Sequence, residues 1–152
     1  MSNHSIYTDA LKKYCAASER CTREVEYKMR ELKVPDKDRD GILAVLRKEG
    51  YLDDLRYAKA FARGKFHQNH WGRIKIRYEL AGRGLSETTI RQGLDDIDED
   101  EYIDMIRQIL QKKISETKGE KKLNIRSKLV NFAMGKGYES SLILDVLKEM
   151  KI

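Results

Sequence analysis

The 152-residue sequence carries 31 Lys or Arg against 25 Asp or Glu, which gives a formal net charge of +6. With 37% charged and 40% hydrophobic residues, it is too apolar for a disordered chain and too charged for a thick core, which favours slim helical units. Because no apolar run approaches the ~18 residues of a membrane span and no signal peptide is present, we expect a cytoplasmic protein without a membrane partner.

The first predicted repeat covers residues 1–50 and holds three helices. The first opens near Thr8, a second is capped by Thr22, and a third spans about residues 39–49. We expect Pro35 to end the second helix, because the residue before a proline disfavours helical backbone angles. Pro35 is therefore predicted to stand where the other two repeats carry a glycine turn.

The second predicted repeat covers residues 51–99 and follows the same plan. Asp53 is a good N-cap for its first helix, and a polar break is predicted at residues 67–69. Its second helix opens near Trp71 and stops at residues 82–84, Gly-Arg-Gly, where a glycine can form a left-handed C-cap. A third, shorter helix completes the repeat.

The third predicted repeat covers residues 100–152 and follows an acidic junction at residues 95–101. Its first helix is amphipathic, and a polar linker follows it. The second helix spans about residues 123–134 and ends at residues 135–137, Gly-Lys-Gly. A third helix starts near Ser140 and runs to the end of the sequence. The three repeats are therefore also the predicted domains.

Apolar residues recur with one spacing in all three parts of the chain. Three of them, spaced four and then five residues, are followed each time by an apolar pair four residues apart. These positions are Val25, Met29, Val34, Ile42 and Leu46, then Ile76, Leu80, Leu85, Ile90 and Leu94, then Leu129, Ala133, Tyr138, Ile143 and Leu147. A repeat of about 50 residues with a helical period predicts an all-α fold of three tandem three-helix repeats. Because units this small usually pack on their neighbours, we expect an elongated, curved array.

Positive charge is concentrated in the second repeat. From Arg56 to Arg91, nine Lys or Arg stand against two acids, Glu79 and Glu87. A second basic stretch follows between residues 107 and 128. Such concentration indicates a polyanionic partner. The candidate binding residues are Arg56, Arg63, Lys65, Arg73, Lys75, Arg77, Arg83, Lys121, Lys122 and Arg126.

Two features of this block allow a functional and a structural interpretation. Arg73 and Arg77, four residues apart, form a basic stripe between two apolar faces of one helix. They can present guanidinium forks to phosphates or acidic side chains, or they can be a solvated basic face. Trp71, the single tryptophan, can stack on a base, anchor a protein interface, or pack the helix start onto the core.

Chemistry-bearing residues do not form a catalytic or metal-binding set. Cys15 and Cys21 lack metal-ligand spacing and are expected to be small, partly buried thiols in a reducing compartment. His67 and His70 stand three apart without a third ligand, and Lys136 lacks the spacing of a phosphate loop. We therefore predict a protein that is not an enzyme and that needs no cofactor or metal.

The sequence resembles the RecX family, the bacterial regulators of the RecA recombinase, over nearly its whole length. The most specific part of the resemblance is Tyr51-Leu52-Asp53-Asp54-x-Arg56-Tyr57-Ala58, then Gly72-Arg73-Ile74-x-Ile76, then Glu79-Leu80-x-x-Arg83-Gly84-Leu85. Looser matches in the outer repeats are Glu24-Val25-x-x-Lys28-Met29 and Phe132-Ala133-x-x-Lys136-Gly137-Tyr138. The first repeat departs from the pattern because it lacks the glycine turn.

The resemblance implies tandem three-helix repeats and a non-enzymatic protein that binds RecA–DNA filaments in their helical groove. It implies inhibition of the ATPase, strand-exchange and repressor-cleavage activities of RecA, in recombinational repair and the SOS response. The expected partners are the RecA filament and DNA, single-stranded in the first instance, with direct DNA contact left open, and the chain is expected to be a monomer. Two other hypotheses remain: a sequence-tolerant nucleic-acid-binding module, and a helical protein-interaction scaffold.

Overall fold

The computed structural model describes residues 3–152, apart from the side chains of Asn3, Lys122 and Leu123. Over that range the chain forms nine α-helices and no strand. The helices are α1 (Asn3–Ala17), α2 (Thr22–Glu31), α3 (Asp36–Lys48), α4 (Asp54–Asn69), α5 (Arg73–Gly82), α6 (Glu87–Leu94), α7 (Glu99–Ser115), α8 (Lys122–Gly135) and α9 (Ser140–Glu149). The predicted all-α class and the order of three helices per repeat are confirmed. The domain limits and the curved shape stay predictions.

Several helix boundaries differ from the sequence-based prediction: the N-cap of α2 is Cys21 rather than Thr22, and α9 ends at Glu149 rather than at the end of the sequence. Helix α1 begins at Asn3 rather than near Thr8. Helix α3 begins at Asp36, directly after Pro35, because proline suits the residue that leads into a helix and the acids of the first turn favour its positive end. The predicted polar break at residues 67–69 is the last turn of α4, which ends only where His70 adopts a left-handed backbone (φ 57°).

The same turn closes the second helix of every repeat. In each, the amide of the third apolar marker donates to the carbonyl of the second: Val34 to Met29 at 2.9 Å, Leu85 to Leu80 at 3.3 Å, and Tyr138 to Ala133 at 3.2 Å. The turn needs one left-handed residue just before the marker. Gly84 and Gly137 supply it in the later repeats, and Lys33 (φ 61°) supplies it in the first. The interpretation that Pro35 replaces the glycine turn is therefore wrong.

Contacts group the chain into two compact units. Unit 1 comprises the chain up to Ala60 together with residues 80–93, and unit 2 comprises residues 61–79 and 94–152. Every one of the fifteen apolar marker residues is buried, the most exposed being Leu85 at 8%. The largest fully buried side chains are Leu11, Met29, Ile42, Leu46, Leu52, Leu80 and Ile90 in unit 1, and Phe66, Ile76, Tyr102, Ile106 and Tyr138 in unit 2. Burial of this regular set is what stabilises the repeats.

Among the helices of residues 3–152, none combines the length and the apolar character that crossing a bilayer requires. The longest, α7, is 17 residues and carries acids in its first turn and lysines in its last. Opposite charges at the two ends suit the helix dipole and place both ends in water.

We expect Leu80→Ala to lower the free energy of unfolding by about 2–5 kcal/mol, because Leu80 is 0% exposed and its truncation leaves a cavity. Urea denaturation followed by circular dichroism measures the change. Leu144→Ala is the matched control, since Leu144 is 42% exposed, and should cost less than about 1 kcal/mol. Equal losses for the two variants would contradict the prediction.

Candidate nucleic-acid interface

The two candidate arginines of unit 1 contact groups of their own unit. Arg56 donates from Nε to both carboxylate oxygens of Glu19, at 2.8 and 2.9 Å, and from Nη1 to the carbonyl of Gly50 at 2.9 Å. Arg83 forms a hydrogen bond with Tyr57, and burial raises the pKa of that phenol to about 12. Arg56 thus ties α4 to the end of α1 and to the turn after α3.

Arg73, the first residue of α5, lies on carboxylates of unit 2 rather than in open solvent. Its guanidinium stacks on the ring of Tyr102 at 3.8 Å and donates to Glu139 at 3.1 Å and to Glu99. Only 22% of the side chain is exposed. The Arg73 guanidinium therefore joins the start of α5 to the starts of α7 and α9. Its predicted role in binding a partner stays a prediction.

The Thr22–Asp54 contact in unit 1 matches the Arg73–Glu99 contact in unit 2. Thr22 begins α2 as Arg73 begins α5, and Asp54 begins α4 as Glu99 begins α7. Asp54 accepts from the amide of Thr22 at 2.9 Å and from its hydroxyl at 2.8 Å. In both units a carboxylate at the start of the next helix triplet holds the start of a second helix, and both carboxylates also suit the positive helix end.

Tyr102 is the buried centre of this polar network. Its phenol, in a residue 0% exposed, donates to Glu139 and accepts from the backbone amide of Arg73 at 2.9 Å. Burial, and next the hydrogen bond to Glu139, raise the pKa of Tyr102 above its ordinary value of 10. The folded protein therefore holds this proton at a pH at which the unfolded chain has lost it.

We expect the free energy of unfolding to fall as the pH rises above about 10, the ordinary tyrosine pKa, because the native state then binds more protons than the unfolded state. Burial raises the pKa of Tyr57 and Tyr138 in the same direction. In Tyr102→Phe the fall between pH 9 and pH 11 should be less steep. Urea denaturation at a series of pH values measures both slopes, and identical slopes would contradict the assignment.

The remaining predicted residues lie in different settings. Arg63 is 64% exposed and pairs with Asp96 at 3.2 Å. Arg77 and Lys121 are exposed, and Arg126 donates from Nη1 to the carbonyl of Ile152 at 2.6 Å. The side chain of Lys122 lies outside the described residues. Arg63 and Arg126 thus contact groups of their own unit, and the predicted role of this set in binding a partner stays a prediction.

Lys65 and Lys75, by contrast, both contact the single tryptophan. The Nζ atoms of Lys65 and Lys75 lie 5.0 and 4.5 Å from the centre of the Trp71 ring. Phe61 meets the same ring edge-on, with centroids 6.5 Å apart. Trp71 is half-buried, so it packs the entry of α5 onto α4 while two ammonium groups lie over it. Such cation–π contacts hold lysine head groups at a fixed place on the surface.

Backbone contact between two glycines brings a third lysine to this place. The amide of Gly72 donates to the carbonyl of Lys136 at 2.8 Å, and the amide of Ile74 donates to that of Gly137 at 3.0 Å. A Cβ on Gly72 would lie 2.3 Å from the carbonyl carbon and oxygen of Gly137. This close approach sets Lys75 beside Lys136, because the Cβ of Lys75 packs directly on Gly137.

Lys136 lies at the end of α4, close to the positive charges of two other lysines. Its Nζ donates to the carbonyl of Asn69 at 2.9 Å, so it caps that helix end. Burial first, then the charges of Lys75 and Lys112, lower the pKa of Lys136. Within the described part of the chain, none of these three lysines is paired with a carboxylate. We call Lys65, Trp71, Lys75, Lys112 and Lys136 the lysine–tryptophan cluster.

Sequence reasoning found three of the five residues of this cluster. The sequence indicates Lys65, Trp71 and Lys75 as candidates, whereas Lys112 is one lysine of the second basic stretch and Lys136 is a residue of a family motif that lacks phosphate-loop spacing. The glycine of the Gly72-Arg73-Ile74 motif and that of Lys136-Gly137-Tyr138 were the available signal. Their mutual contact joins residues far apart in the sequence, which spacing alone does not show.

Within residues 3–152, nine helices in successive triplets, with a cationic cluster at the entry of the fifth, define a helical repeat protein. Sequence models of two RecX domains match it: the second three-helix domain over residues 53–94 and the third over residues 99–147. The chain therefore belongs to the RecX family.

Named relatives agree with this assignment, and a solved structure shares the fold. Regulatory protein RecX of Clostridium acetobutylicum is 31% identical over 132 residues, covering 84% of this chain and 61% of that protein. The Clostridium tetani protein of the same name is 29% identical over 144 residues, covering 93% and 65%. The chain thus spans less than two thirds of these relatives. The crystal structure of RecX from Lactobacillus salivarius has the same fold, with a TM-score of 0.92, 19% identity, and 97% and 96% of the two chains covered.

Proposed function

We propose that this protein binds RecA–DNA filaments and inhibits the recombinase and ATPase activities of RecA, in recombinational DNA repair and the SOS response. The observation that carries the proposal is the match of residues 53–94 and 99–147 to two RecX domains. The relatives reported above are named regulatory protein RecX. In this proposal the chain acts in the cytoplasm as a monomer, and it regulates an enzyme without being one.

The physical basis of the proposed inhibition is steric and electrostatic. A helical chain that occupies the groove of the filament blocks access of other molecules to that groove and hinders the movement of the RecA subunits. The lysine–tryptophan cluster supports a polyanionic contact, because it concentrates positive charge that carboxylates of the described chain do not neutralise. Affinity for the filament should therefore fall as salt concentration rises.

The proposal is tested by measuring RecA ATPase activity on single-stranded DNA with increasing amounts of this protein. Gel filtration of the RecA–DNA complex with the protein gives a second readout. We expect the ATPase rate to fall and the protein to elute with the complex. Unchanged ATPase activity together with separate elution would reject the proposal.

A sequence-tolerant nucleic-acid-binding module is the second candidate, and Lys65 and Lys75 on Trp71 favour it, since such modules combine cations with aromatic rings. It requires DNA binding without RecA and a steep salt dependence. A helical protein-interaction scaffold is favoured by Ile74 and Tyr78 on α5, which are 50% and 77% exposed. It requires that charge reversal at Arg73 and Arg77 leave function intact.

A further inference from the structure

A cleft opens beside Lys136 in unit 2, where helices α7 and α8 meet the end of α4. It has a volume of about 170 Å³, and its lining residues are His70, Ile109, Lys112, Lys113, Glu116, Phe132 and Lys136. Pockets that enclose a drug-sized ligand begin at about 300 Å³. The cleft therefore fits one small group of a larger ligand rather than a whole small molecule.

The charges on the cleft select for an anion. Lys113 forms an ion pair with Glu116 at 3.5 Å, and the Nζ atom of Lys113 lies 4.9 Å from the centre of the Phe132 ring. Lys112, the residue directly before Lys113 on α7, is exposed, and Lys136 donates one of its three ammonium hydrogens to the carbonyl of Asn69. Two donors of Lys136 and all three of Lys112 are therefore available for a ligand.

The apolar part of the lining narrows the class of anion. Phe132 and Ile109 form one wall of the cleft, beside the ammonium groups. A nucleotide of a single strand offers a phosphate together with an unstacked base or sugar, and single-strand-binding proteins combine cations and aromatic rings for that reason. A duplex keeps its bases stacked and offers phosphates alone. A carboxylate side chain of a protein would leave the apolar wall unused.

We propose that this cleft is a subsite for a phosphate of single-stranded DNA, which Lys112 and Lys136 bind while Lys75 adds charge beside them and Phe132 contacts the neighbouring base or sugar. The inference rests on the proposed function, since it names the part of the RecA–DNA filament that the chain touches directly. It also explains why like charges are held together: a bound phosphate offsets the mutual repulsion of the three lysines.

The test titrates the full chain, without RecA, with a fluorescently labelled oligothymidylate and follows its anisotropy. Trp71 is the single tryptophan, and the Nζ atom of Lys75 lies 4.5 Å from the centre of its ring. The fluorescence emission of Trp71 therefore reports on binding close to Lys75. We expect saturable binding that weakens with salt. The Lys112→Gln variant should bind several-fold more weakly, and its slope of log K against log salt should be shallower by roughly 0.7, the value for one lost contact with a single strand.

Controls separate this subsite from general charge and from the proposed function. Lys148→Gln removes one exposed lysine from α9 and should change binding less than twofold. Lys136→Gln should weaken binding as Lys112→Gln does, and thermal unfolding checks that loss of the helix cap leaves the chain folded. Equal loss in Lys148→Gln would overturn the subsite.

Two further outcomes would also overturn it. If the wild-type chain did not bind the oligonucleotide without RecA, the subsite would be rejected, whereas the proposed inhibition of RecA would still stand. Unaltered DNA binding in Lys112→Gln, with loss of RecA ATPase inhibition, would show that the cleft binds protein instead. Conversely, oligonucleotide binding that depends on Lys112, without any effect on RecA, would reject the proposed function and retain the subsite.

Discussion

Gly72→Ala should lower the free energy of unfolding by about 3 kcal/mol, at the upper end of what overpacking costs. The added methyl group would lie 2.3 Å from the carbonyl carbon and oxygen of Gly137 and 2.5 Å from the amide nitrogen of Tyr138. These are backbone atoms, so no side-chain rotation relieves the overlap. The hydrogen bond from Gly72 to Lys136, now 2.8 Å, must lengthen. Urea denaturation followed by circular dichroism measures the loss.

Gly64→Ala is the matched control for this substitution. Gly64 lies inside α4, and a Cβ there meets nothing within 4 Å. Alanine in a helix interior should stabilise the chain by about 0.5–1 kcal/mol, because it restricts the unfolded state more than glycine does. A loss below about 1 kcal/mol in Gly72→Ala, or the same sign of change in both variants, would show that α5 and the Gly137 turn separate at little cost.

The apolar register was readable from the sequence because burial follows a simple period. A spacing of four residues places the first two apolar side chains of each set on the same face of the helix, one helical turn apart. The third, five residues further on, lies just after the turn that closes the helix. Val25, Ile76 and Leu129, the first residues of the three sets, are each 0% exposed. No partner from elsewhere in the chain needs to be known for such a prediction. The all-α class and the sequence of helix triplets follow from it.

The left-handed turns were predictable only in the two repeats that have a glycine there. Gly84 and Gly137 adopt positive φ, as the glycine turns require. In the first repeat Lys33 adopts the same left-handed backbone without any sequence signal. A lysine there costs about 1–2 kcal/mol, and the buried Met29 and Val34 that the turn joins override that cost. Local preference yields to packing when the flanking residues are core.

The candidate site was the least predictable part, because its contacts join distant residues. Arg73 was a candidate for contact with a partner, and the carboxylate to which it donates, Glu139, lies 66 residues away in the sequence. Lys136 contacts the carbonyl of Asn69, which is 67 residues away. Counting local charge finds a basic region, but it does not show which arginines are already paired within the fold. Pairing decides whether a cation is available to a partner.

Arg73→Glu should lower the free energy of unfolding by about 3 kcal/mol. The guanidinium now lies between Glu99 and Glu139 and on the ring of Tyr102, and the variant would put a third carboxylate in its place. Breaking a fully buried pair costs about 3–5 kcal/mol, and the 22% exposure of Arg73 argues for the lower end. Arg73→Lys keeps the charge but loses the fork, so it should cost less, about 1–2 kcal/mol.

Arg63→Glu is the control that separates structure from binding. Arg63 also pairs with one carboxylate, Asp96 at 3.2 Å, but 64% of its side chain is exposed, so its reversal should cost less than about 1 kcal/mol. Urea denaturation of both variants, beside RecA ATPase inhibition measured well below their unfolding midpoints, distinguishes the two roles. If Arg73→Glu proved as stable as the wild type and still failed to inhibit RecA, Arg73 would contact the filament itself, and the ion pairs with Glu99 and Glu139 would be dispensable. The expected result, lower stability with inhibition of RecA retained below the unfolding midpoint, assigns Arg73 to holding α5, α7 and α9 together.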